Sequence, residues 1–108
     1  FLLFSNYETA AVVLQEATIM ELPIISTAVG IAPMILSPII KTENNAFQIS
    51  KNGIIVPKKA TDILCDAMKY MLEHRNDFDN KTKHGEDYTY KSIGEKISAI
   101  YNNILSQK

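Results

Sequence analysis

The chain has 108 residues, 46% of them apolar and 21% charged, with a formal net charge of -1. That is the size of one domain, with apolar mass for a core and charge for a solvated surface, and it points to a globular, soluble class. The ten lysines and single arginine are scattered, so the electrostatic footprint of a nucleic-acid binder is missing. The lone Cys65 has no internal disulfide partner. Set in an apolar helical pattern, it reads as a core thiol in a reducing compartment, and with two isolated histidines it builds no zinc site.

In chain order, residues 1–5 are apolar without alternation and read as a buried strand of a parallel sheet. The run Phe1-Leu2-Leu3-Phe4 lacks a basic leader and is too short to span a bilayer. It resembles the middle of something, as in a fragment or a dissected domain. Over residues 9–21, Ala10, Val13, Leu14, Ala17 and Met20 fall at helical spacing. Leu22-Pro23 stops that helix, and the β-branched run from Pro23 to Thr27 reads as a strand, which makes a right-handed βαβ unit.

After Gly30, residues 31–36 predict a turn or two of helix with Pro33 in its first turn. Residues 41–45 read as a polar loop, 47–50 as a brief extended piece, and Asn52-Gly53 as a turn before the strand Ile54-Ile55-Val56. From Thr61, expected as an N-cap with Asp62 in the first turn, the positions Ile63, Leu64, Ala67, Met68, Met71 and Leu72 form a core-facing helical stripe. Residues 76–90 read as a loosely helical connector. The final helix carries Ile93, Ile97, Ile100, Tyr101, Ile104 and Leu105 on one face, despite Gly94 costing up to about 1 kcal/mol of propensity. The sum is an α/β layer architecture with a small parallel sheet.

The chemistry-bearing feature is Glu8 and Glu16, which bracket the start of the first helix. Eight residues at about 1.5 Å rise separate them by roughly 12 Å, more than a paired-carboxylate hydrolase site spans. They suit an extended polar ligand. The amides near Thr9, Ala10, Ala11 and Val12, at a helix N-terminus, would offer donors and partial positive charge to phosphates. On the spacing alone, Glu8 as a first-turn dipole partner and Glu16 on a solvated face remain open.

The surrounding residues carry a resemblance. Ser5, Glu8 and Glu16, Ala17, the run from Pro23 to Thr27, Val29-Gly30, the run from Asn52 to Pro57 and the closing Ile100-Tyr101 helix together look like the C-terminal part of the group 1 retaining glycosyltransferases of GT-B fold. The likeness runs along nearly the whole chain. It implies a Rossmann-like parallel sheet with flanking helices, the second half of a GT-B C-terminal domain, with residues 1–108 forming one partial donor-binding domain. The acceptor-binding N-terminal domain and the first half of the donor domain would be absent.

The resemblance implies hexosyl transfer from a nucleotide-sugar donor to a carbohydrate or lipid-linked acceptor with retention, in cell-surface polysaccharide synthesis. Glu8 would be the catalytic position and accept from the transferred sugar. Glu16 would hold the ribose, and Thr9, Ala10, Ala11 and Val12 would complete the donor site. It further implies no metal and no cofactor, since the nucleotide-sugar is a substrate, and a cytoplasmic location or the inner membrane surface. The fragment by itself would be inactive.

Departures from the family pattern are plain. Thr9-Ala10-Ala11 stands where many members have a Gly-Phe-Gly-like run, and alanine lacks glycine's freedom at positive φ. Gly30-Ile31-Ala32-Pro33-Met34 lacks the second glycine and the acid of the later Gly-Gly-x-x-Glu segment. An alternative is therefore a non-catalytic interaction module with a degenerate nucleotide-sugar site; a GT-B epimerase is a third option, without the histidine-rich site expected of it.

Lys58 and Lys59 read as a solvated pair, His74 and His84 as structural, Tyr88 and Tyr90 as packing or edging a loop. The sequon at Asn80 is discounted. An apolar strand edge at residues 1–5 predicts self-association or an ordered partner there.

Overall fold

The structure is a computed structural model, and it describes residues 1–79, 81 and 89–107. Five strands form one open sheet in the order β1-β2-β5-β4-β3. The strands are β1 (Leu2–Leu3), β2 (Ile24–Thr27), β3 (Ile39–Glu43), β4 (Phe47–Ser50) and β5 (Gly53–Val56). Four α-helices accompany them among the described residues: α1 (Val12–Ile19), α2 (Ala32–Ile35), α3 (Thr61–Glu73) and α4 (Tyr90–Ser106). A single 3₁₀ turn, Arg75–Asp77, follows α3.

The α/β class holds, but the sheet is mixed rather than parallel. β1, β2 and β5 run parallel, with Leu2 opposite Ile25 and Ile25 opposite Ile54, while β4 and β3 add antiparallel. The reason is turn length. Ser50 pairs with Gly53 across the two residues Lys51-Asn52, and a loop that short joins only antiparallel neighbours.

The second hairpin occupies the stretch expected as a polar loop. Asn44 and Asn45 both take positive φ (49° and 53°), and the Ala46 amide donates to the Glu43 carbonyl at 2.8 Å. Two consecutive left-handed residues twist a hairpin correctly, and asparagine tolerates the conformation well. β3 escaped the pattern because its side chains are almost all exposed, so no buried face alternates along it.

Two apolar clusters lie on opposite sides of the sheet, and strand alternation feeds both. Leu14 and Ala17 of α1, with Ala32 and Ile35 of α2, pack with Ile24, Leu36 and Ala11. Leu64 and Ala67 of α3 pack with Ile25, Phe47, Ile49, Ile54 and Val56. Gly53 is required by close approach: a Cβ there would lie 2.0 Å from the Ile24 carbonyl oxygen. Asn52 ties the hairpin to α2, accepting from the Ser50 hydroxyl at 2.9 Å and donating to the Ile35 carbonyl at 2.8 Å.

Three further expectations are corrected. The first helix spans 8 residues instead of thirteen, because Ala11 turns left-handed (φ 62°) and the Ala10 carbonyl accepts from Ile31. It ends in a Schellman arrangement: Leu22 donates to the Ala17 carbonyl, Glu21 to that of Thr18, and Glu21 sits at φ 57°. Thr61 is the first helical residue and not a cap; Ala60 holds the cap position without a side-chain bond. Cys65 is exposed on α3 instead of buried, since the stripe that reaches the sheet runs through Leu64 and Ala67. His84, Tyr88 and the Asn80 sequon fall outside the described residues.

α4 starts with a genuine cap, the Thr89 hydroxyl accepting from the Ser92 amide at 3.2 Å. Its apolar face is present and unburied: Ile97, Ile100, Tyr101, Ile104 and Leu105 are all exposed. The principal extents of 56 × 28 × 20 Å and the 16.3 Å radius of gyration, against about 13 Å for a compact chain of this length, reflect that projecting helix. The accessible surface of 7322 Å² likewise exceeds the ~6,000 Å² typical of this mass.

Candidate functional site

The carboxyl ends of β1 and β2 bring the expected site residues to one edge of the sheet. The Thr27 hydroxyl donates to the Ser5 carbonyl, and the Ser5 hydroxyl donates to a Glu8 carboxylate oxygen at 2.9 Å. Glu8 is thus fixed, half-buried, in the loop that leaves β1. Ligands of open α/β sheets gather outside the carboxyl ends of parallel strands, so this is the chemically useful edge.

The loops after β1 and β2 cross there. The Ile31 amide donates to the Ala10 carbonyl at 3.1 Å, and Gly30, at φ 52°, lies so close that a Cβ would come 2.5 Å from that oxygen. Glycine at 30 permits both the conformation and the approach. Ala11 then enters α1 left-handed, and no side chain caps the helix. The Leu14 amide in the first turn of α1 donates to the Ala11 carbonyl at 2.9 Å, and the amides of Val12 and Val13 precede that first bond, where a helix has no acceptor of its own to offer them. Thr9 and Val12 are exposed, Ala10 is half-buried and Ala11 is buried.

Glu16 lies one turn further along α1 and is exposed. It borders an open groove of ≈ 440 Å³ between α1 and the start of α4, shared with Val12, Gln15, Ile19, Tyr90 and Ile93. Glu8 does not line that groove. Glu8 therefore sits in the loop before α1 and Glu16 on the helix itself, in different surroundings. Sequence reasoning missed Gln15 and the neighbourhood of Tyr90, because neither shares a motif with Glu16; only the helical spacing of Val12, Glu16 and Ile19 hinted at a common stripe.

A second groove, ≈ 290 Å³, opens at the ends of β2 and β5, where Ala28 and Lys58 face Thr42, Asn45 and Gln48 of the β3–β4 hairpin. Lys58 and Lys59 are exposed, as expected of a solvated pair. His74 caps α3, its Nδ1 2.9 Å from the Tyr70 carbonyl and its ring stacked on Tyr70 at 4.0 Å. On the hairpin, Lys41 pairs with Glu43 at 2.6 Å, and that hydrogen bond holds the lysine above its usual range. No group of three or more His, Cys, Asp or Glu among the described residues could hold a metal ion, and no described helix is long and apolar enough to cross a membrane.

Fold and site together define an α/β protein with a mixed five-stranded open sheet and a polar, helix-headed edge at the carboxyl ends of its parallel strands. Compared with known proteins, the chain matches no family model, no curated protein and no solved structure.

Proposed function

We propose that the chain is part of the donor-binding domain of a retaining glycosyltransferase of GT-B fold, with Rossmann-like ancestry for its β1-α1-β2-β5 parallel portion. The observation that carries this is Ala11. The family likeness has a glycine there, and the backbone takes the left-handed conformation that glycine favours, at φ 62°. The parallel pairing of β1, β2 and β5, with helices on both faces, supports the same reading.

In this reading the diphosphate rests on the uncapped start of α1, near Thr9, Ala10, Ala11 and Val12, where helix-end amides stabilise the departing charge. Glu8 accepts from hydroxyls of the transferred sugar and Glu16 from the ribose diol. The parent reaction moves a hexosyl group to an acceptor hydroxyl with retention and needs no metal. It belongs to cytoplasmic or inner-membrane-surface synthesis of a polysaccharide.

Equilibrium dialysis with labelled UDP- and GDP-sugars tests it. Retention of at least one donor, lost in Glu16→Ala, is the expected result; no retention of any donor by the intact polypeptide would sink the proposal.

A second reading, a non-catalytic interaction module, is favoured by the unburied apolar face of α4 and the exposed β1 edge, where Phe1 and Leu2 are 44% and 45% exposed. An open strand edge also supports self-association there. Donor retention with no stable partner would decide for the enzyme.

A further inference from the structure

The β3–β4 hairpin leaves one of its faces bare, and strand alternation decides which. Phe47 and Ile49 are buried on the side of α3, so Gln48 between them points the other way. Thr42 lies directly opposite Gln48 on β3 and Ile55 directly opposite it on β5, so the three stand in one row across neighbouring strands. Ile55 packs against the cluster under α1 and α2, whereas Gln48 and Thr42 stay exposed. The sheet thus runs out from under its helices as an open shelf.

At the carboxyl ends of β2 and β5 this shelf becomes the ≈ 290 Å³ groove, bounded by Asn45 at the hairpin tip, Ala28 after β2 and Pro57-Lys58 after β5. Its polar side chains are those of Thr42, Asn45, Gln48 and Lys58, and none of the four bonds or ion-pairs with another described residue. No carboxylate lines the groove, so its charge is that of Lys58. Ile55 and Pro57 give it an apolar floor.

We propose that this groove binds a carboxylated sugar, a hexuronate ring, with its C–H face on Ile55 and Pro57 and its carboxylate at Lys58. Side-chain amides and a hydroxyl both donate and accept, which is what neighbouring sugar hydroxyls require; an ammonium only donates, which selects an anionic substituent. Drug-sized ligands occupy pockets from about 300 Å³ upward, so a groove at that lower limit suits one ring.

Other ligand chemistries fit less well. A nucleobase would need a stacking partner, and no aromatic side chain lines the groove. A phosphate would be met by an arginine fork or a helix start, and the groove has neither. The groove opens on the same sheet edge as Glu8, since Ala28 follows the Thr27 whose hydroxyl reaches the Ser5 carbonyl. It shares no residue with the site at Glu8 and Glu16, so the inference stands apart from the donor-site reading.

Titration of the isotope-labelled whole chain tests it, with methyl glucuronoside, methyl glucoside and acetate as probes and the side-chain amide signals of Asn45 and Gln48 as the readout. Saturable shifts of both amides with methyl glucuronoside are expected, at a dissociation constant about fivefold below that of methyl glucoside, the share a good surface ion pair contributes. Lys58→Gln should remove that preference and leave the glucoside response in place, whereas Gln48→Ala should weaken both sugars. Both positions are exposed, so the variants should fold, checked by circular dichroism.

Equal binding of the two sugars, indifferent to Lys58→Gln, overturns the acidic specificity in favour of a neutral sugar. A response to acetate equal to that with methyl glucuronoside overturns the sugar ring and leaves a bare contact between lysine and an anion. No shift of Asn45 or Gln48 with any probe overturns the site altogether. The donor-site reading survives each of these results, because it is tested at residues 8–16 and with nucleotides.

Discussion

The two long helices, α3 and α4, carry the same kind of apolar stripe and meet opposite fates. α3 buries Leu64 and Ala67 against the sheet, with Ile63, Tyr70 and Met71 half-covered. α4 buries none of its residues, although four isoleucines recur along it at spacings of four and three. Periodicity states that a face is apolar; it does not state what covers it. For α3 the cover is β4 and β5, supplied by the same chain. For α4 no cover exists among the described residues, its first turn only sharing an open groove with α1.

That contrast breaks most easily at the sheet. Gly53→Ala should be the most damaging single change, because its Cβ would collide with the Ile24 carbonyl in the central β2–β5 pair. Backbone has no rotamer to yield, so a loss of about 4 kcal/mol or failure to fold is expected in urea denaturation. Leu14→Ala, at a side chain with no exposure, should cost about 2–5 kcal/mol by the same measurement.

Ala11→Gly tests the start of α1 and should act in the other direction. Left-handed alanine is strained by roughly 1–2 kcal/mol, so glycine there should raise stability by about 1 kcal/mol after its greater unfolded-state entropy is counted. A loss of stability would show that the φ of 62° is not adopted in solution. Ile100→Ala on α4 should change stability by no more than about 0.5 kcal/mol, as for an exposed site. A cost matching that of Leu14→Ala would mean that the face of α4 is covered in solution after all.

The smallest effect belongs to the β3–β4 hairpin. Lys41 donates to Glu43 and lies over the Tyr70 ring at 5.5 Å, and the Glu43 hydrogen bond raises its pKa. A raised lysine contributes fully below the ordinary lysine range and loses that contribution as pH climbs through the raised value. Hairpin shifts in NMR should therefore stay constant across neutral pH and move only in strong alkali. Movement near pH 7 would contradict the pairing.

Much of this was legible in the residues. The β1-α1-β2 unit, the extended piece at residues 47–50, the Asn52 turn and the limits of α3 follow from apolar spacing and turn chemistry. The spacing expected of Glu8 and Glu16 assumed a helix through both, whereas α1 starts only at Val12 and leaves Glu8 in the preceding loop.

What stayed hidden depended on contacts made at a distance. β3 has no buried face, so only Asn44-Asn45 announced it. The late start of α1 is set by Ile31 taking the Ala10 carbonyl, a bond between two loops. Cys65 sits in an apolar run, yet one helical position away from the stripe that reaches the sheet. Tyr90 comes to line one groove with Glu16, seventy-four positions earlier in the chain.

The central claim is that the helix start between Glu8 and Glu16 receives a nucleoside diphosphate. An amide-shift titration of the isotope-labelled chain with UDP and with GDP addresses it directly. The account predicts saturable shifts centred on residues 8–16, absent in Glu16→Ala and weaker in Glu8→Ala. Saturating additions of both nucleotides with no shift in that segment would contradict it.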